Sequence, residues 1–133
     1  LALEFTHAAD HAKALYNQTL AASNMDKNVA KTHFEEMGQC LERARTLHAM
    51  VHKSYTPVQE KEISKDHEAF LNAHTIALET FKDLKVVFAN DRLDIEKVKS
   101  LSAKIFAETY KAIVIHKEVL KKLGIPEAQT PVS

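Results

Sequence analysis

Apolar residues recur at steps of three and four along almost the whole chain, the period of a helix lying against a core. Two stretches keep it strictly: Ile63, His67, Phe70, His74, Ala77, Phe81, Leu84, Phe88, and Val98, Ser102, Ile105, Thr109, Ala112, His116, Val119, Leu123. Packed helical bundles use seams of this kind. A third stripe runs Ala30, His33, Met37, Cys40, Ala44, Leu47, Val51, and the opening segment offers Phe5, Ala8, Ala12, Leu15 and Thr19.

Breaks in the pattern carry helix-end chemistry. Thr56-Pro57-Val58-Gln59 predicts a capping box with proline in the first turn. Asp94 is placed to cap the last helix, with Leu93 and Val98 as its hydrophobic staple. Leu123-Gly124-Ile125-Pro126 predicts a left-handed C-terminal cap. The first connection is ambiguous: Ser23, Asn24 and Asp26 each suit a cap, and Thr32-x-x-Glu35 is a further capping box. Four helices follow, at 2–22, 27–54, 57–89 and 94–123, in an all-α, single antiparallel up-down-up-down four-helix bundle over residues 1–124. Residues 125–133 are expected to form a flexible tail.

Four of the eight histidines fall on these stripes and a fifth, His48, about 40° from the centre of its own, where Leu, Ile or Phe is the ordinary occupant. Distance from each turn sets their height. His48 lies nine residues before Pro57 and His67 ten after it; His67 lies 25 before Arg92 and His116 24 after it. At about 1.5 Å per residue the three share one layer. Three imidazoles with a carboxylate or water suit zinc or copper, and also iron or nickel. The expected metal site is therefore His48, His67 and His116, completed by Glu4 if the first turn is tight or His7 if it is long. One layer further in, His74, Cys40 and His11 make a second metal set or a buried polar layer, while His33 is expected toward the opposite end, near Asn17 and Phe81. Met37, His33, His74 and His116 offer ligands to a b-type haem as an alternative. The competing structural reading is that each histidine is satisfied singly by a hydrogen bond or tips out to solvent.

Composition narrows the function classes. Eighteen Lys and Arg balance eighteen Asp and Glu, so no basic field exists to hold nucleic acid. A single cysteine, Cys40, excludes an internal disulfide and any thiolate-rich cluster. No run of about 18 apolar residues is present to span a membrane. The chain opens Leu1-Ala2-Leu3 without methionine, as a mature form does after signal removal or as a trimmed sequence does; a periplasmic or secreted mature form is the expectation. Phosphate loops, nucleophile elbows and the HExxH pattern are missing, so binding, storage or sensing of a metal is expected rather than catalysis. Glu4-x-x-His7 matches half of the carboxylate di-iron pattern, but no second inward copy follows. A metal-free helical interaction module is the alternative function. Val86, Val87, Val114 and Ile115 lie off the seams and are its candidate patch for a protein partner or a second copy of the chain.

Overall fold

The computed structural model describes residues 1–20 and 26–125. Among them the chain is helical and contains no strand. Five helices are formed: α1 Ala2–Leu20, α2 Lys27–Lys53, α3 Pro57–Glu62, α4 Ser64–Ala89 and α5 Ile95–Leu123. α1 packs along both α2 and α5, α4 packs along α5, and α2 meets α4 over a shorter stretch. Ser23, Asn24 and the tail beyond Ile125 lie outside the described residues.

The helix ends follow from side-chain chemistry. Asp26 caps α2, its carboxylate accepting from Asn28 N at 2.9 Å and Val29 N at 3.2 Å. Thr56 and Gln59 form the reciprocal capping box at 3.2 and 2.9 Å. Asp94 accepts from Lys97 N at 3.2 Å. At the end of α5, Gly124 takes φ +67°, a conformation that needs no Cβ. Its N–H donates to Lys121 O and that of Ile125 to Leu120 O, which is the Schellman pairing.

The stretch predicted as one helix over 57–89 is two. Ile63 adopts φ −104°, ψ 11° and bends the chain between α3 and α4. Hydrogen bonds continue around the bend, from Ile63 N to Gln59 O and from His67 N to Ile63 O. α3 buries none of its residues, whereas Ile63 is 2% exposed. No packed face holds α3 collinear with α4, and the bend tucks the isoleucine inward.

The core joins all four long helices. Phe5, Leu15, Met37, Leu41, Leu84, Val98 and Ile105 are completely or almost completely buried. The α5 seam is buried as read from Val98 to Ala112 and again at Val119, with His116 and Leu123 half-buried. On α2 the buried face includes Phe34, Gly38 and Leu41 beside the expected residues, and His33 is only half-buried. Phe34 stacks on Phe81 and Phe88 with ring centroids 4.9 and 4.6 Å apart. A Cβ on Gly38 would run into the Phe81 ring, so glycine there lets the ring lie against the α2 backbone. The suggested surface patch is reduced: Val87 is buried and Ile115 packs on the core, leaving Val86 and Val114 exposed.

Candidate metal centre

Among the described residues, two groups of side chains that could hold a metal ion meet between α1 and α2. Glu4, His7 and His11 stand on one face of α1, spaced by three and then four residues. His33, Glu36 and Cys40 repeat that spacing on α2. His11, His33 and Glu36 form one group and Glu4, His7 and Cys40 the other; within each, the ligand atoms lie within 4.8 Å of one another.

In the first group, His11 Nδ1 and His33 Nδ1 are 3.0 Å apart. The far nitrogen of His11, Nε2, is 3.1 Å from Glu36 Oε2. With neutral rings the network assigns the protons. His11 Nε2–H donates to the carboxylate, which leaves His11 Nδ1 a lone pair that accepts from His33 Nδ1–H. Burial holds His11 below the ordinary histidine pKa; the nearby His33 and His7 act in the same direction and Glu36 opposes them. A neutral, oriented imidazole with its lone pair turned to a second imidazole is the form a cation needs. With metal–nitrogen bonds of about 2.0–2.1 Å, two ligand nitrogens sit about 3.3 Å apart at a tetrahedral angle and about 2.9 Å apart at a right angle. The observed separation suits either a shared proton or, with a shift of a few tenths of an ångström, a shared ion. Glu36 then takes the place of the carboxylate that usually orients a ligating histidine from behind.

In the second group Arg43 intervenes. Its Nε donates to Glu4 Oε2 at 3.1 Å and its Nη2 to Cys40 Sγ at 3.4 Å. Cys40 is 2% exposed, and burial pushes its thiol pKa up.

The expected layer of His48, His67 and His116 lies at the end of the bundle near α3. These three line a void of about 20 Å³ together with Leu1, Val51, Tyr55, Ile63, Phe70 and Val119. His52 joins them: its ring stacks on His67 at 4.1 Å with 5° between the planes, and His48 stacks on His67 at 5.1 Å. Lone pairs lie in the ring planes, so the parallel rings of His52 and His67 do not aim at a common point. Burial, followed by the neighbouring imidazoles of His67, His52, His74 and His116, pushes the His48 pKa down to about 4. His67 is lowered chiefly by burial. His52 Nδ1 is buried with no hydrogen-bond partner, and His52 Nε2 is 3.8 Å from Glu60.

Leu1, just before α1, lines this void, while Glu4 and His7 gather further along with Cys40. The sequence reading set Glu4 and His7 beside His48, and His33 near the far end; it missed the pairing of His11 with His33 and Glu36. The mirrored three-four spacing on the two helices was the available signal. His74 is satisfied singly: Nε2–H donates to Leu41 O at 3.2 Å, and the ring meets Phe5 edge-on at 5.0 Å. Met37 is completely buried and His33 faces His11, so the haem set of Met37, His33, His74 and His116 is divided among different surroundings.

No family model matches the sequence, and no curated protein or solved structure does either. Among the described residues no helix is long and apolar enough to cross a membrane.

Proposed function

We propose that this chain is a metal-binding four-helix bundle, with α3 and α4 together forming one bent leg of an antiparallel up-down-up-down arrangement. Its ion sits between α1 and α2 on His11 Nδ1 and His33 Nδ1, with Glu36 orienting His11 and water completing the shell. The 3.0 Å approach of two imidazole nitrogens from different helices carries this reading. Zinc and copper(II) suit a site of two imidazoles and water, and the absence of any recognisable catalytic motif favours binding, storage or sensing over turnover.

The test is zinc titration by calorimetry on protein purified without a histidine tag. His33→Ala should weaken binding by more than about a hundredfold, because losing a ligand's orienting partner alone typically costs ten- to a hundredfold. A second placement, on His48, His67 and His116, is favoured by the void those three share. There the stacked rings must turn before their lone pairs converge. The double variant His67→Ala/His116→Ala separates the two placements: retained binding supports the α1–α2 site, and lost binding with His33→Ala unaffected moves the ion to the bundle end.

A further inference from the structure

We propose that Glu4, His7 and Cys40 form a second cation site of thiolate–imidazole–carboxylate type, about one helical turn along α1 from His11, and that the Arg43 guanidinium occupies it until a metal arrives. The inference rests on the reading of the α1–α2 groove as metal-binding and adds a site of different chemical class.

Three ligand types converge within 4.8 Å from two helices. Glu4 and His7 come from successive turns of α1, and Cys40 projects from the facing side of α2. The sulfur makes this site softer than its neighbour, suiting zinc, cadmium or copper(I). Three protein ligands leave a coordination position open.

Arg43 already supplies a positive charge there, with hydrogen bonds to both the carboxylate and the sulfur. A cation and a guanidinium cannot share those lone pairs. Binding therefore requires Arg43 to swing away, and its half-exposed side chain has solvent to enter. Glu4, Glu42, Arg43, Thr46 and Leu47 line an open groove that reaches the group at Glu4 and Arg43. A thiol must lose its proton to bind: the S–H bond breaks, the sulfur–metal bond forms, and one proton passes to solvent per ion bound.

Cobalt(II) titration of the full chain reads this directly, because only a thiolate ligand gives a sulfur-to-cobalt charge-transfer band in the near ultraviolet. The wild-type protein should bind two equivalents, with that band tracking one of them. Cys40→Ser should bind one equivalent and lack the band. His33→Ala should keep the band and lose the other equivalent, so failure of the first site is distinguishable from failure of the second. Arg43→Ala should tighten the band-forming equivalent about tenfold, the opposite sign from the loss expected if Arg43 only braces the helices. Saturation of the wild-type protein without a charge-transfer band overturns the proposal, as does weaker cobalt binding in Arg43→Ala.

Discussion

Histidines cluster at two places in this molecule, and they meet in opposite ways. Between α1 and α2, His11 and His33 approach nitrogen to nitrogen, with Glu36 behind. At the bundle end, His48, His52 and His67 lie ring against ring. The first arrangement sets one imidazole's lone pair against the N–H of the other, and on the proposed reading that proton gives way to an ion. The second uses the imidazoles as flat, half-polar packing units, with burial lowering the pKa of His48 and of His67. Residue type alone does not separate a ligand set from a packed layer; the angle between the ring planes and the placement of a carboxylate do.

The sharpest way to break this contrast is to measure metal-linked stability. Zinc at a hundredfold excess over its Kd should stabilise the fold by about 2.7 kcal/mol. The gain in melting temperature should shrink in His33→Ala, vanish in His33→Ala/Cys40→Ser, and persist in His67→Ala/His116→Ala. Equal loss in the two double variants would mean that the two regions act as one site.

A somewhat smaller effect should appear with pH, and here the bundle end dominates. His48 has a folded pKa of about 4 against about 6.5 unfolded. Between these values the unfolded chain binds more protons, so stability is full above pH 6.5 and declines as pH falls toward 4. Chelator-treated protein should lose on the order of 2 kcal/mol between pH 6.5 and 4.5, followed by urea unfolding. His48→Phe keeps a ring in the stack without the titration and should flatten most of this dependence. If His33→Ala flattens it instead, the proton-sensitive region is the α1–α2 groove.

Glu36→Gln tests the finest part of the comparison. The amide can occupy the carboxylate's place behind His11 but carries no charge. Zinc affinity should fall about tenfold, near 1.4 kcal/mol. Unchanged affinity would remove Glu36 from the site.

Much of the architecture was legible in the sequence because it is written in local chemistry. Thr56, Gln59, Asp94 and Gly124 act on backbone groups within a few residues, and each makes the cap its type predicts. The gathering of His48, His67 and His116 around one void follows from counting residues out from two short turns. The groove between α1 and α2 was harder to read for two physical reasons. Its register depends on the connection between α1 and α2, where several capping residues compete. Its composition depends on the rotation of α2, and the buried face there includes Phe34, Gly38 and Leu41, about 100° round the axis from the centre of the expected stripe. That rotation carries His33 out of the core and toward His11. The bend at Ile63 had no marker either, since neither proline nor glycine lies beside it.

The bend also divides the molecule's resistance to opening. α3 is held by its own capping box and backbone ladder, not by buried surface. Its amide protons are therefore released by a local fluctuation of small free energy, while those of α4 await near-global unfolding. Tyr55 and Ile63, which flank α3, form part of the wall around His48 and His67. Fraying of this six-residue helix would loosen two walls of that histidine layer while the bundle stays folded.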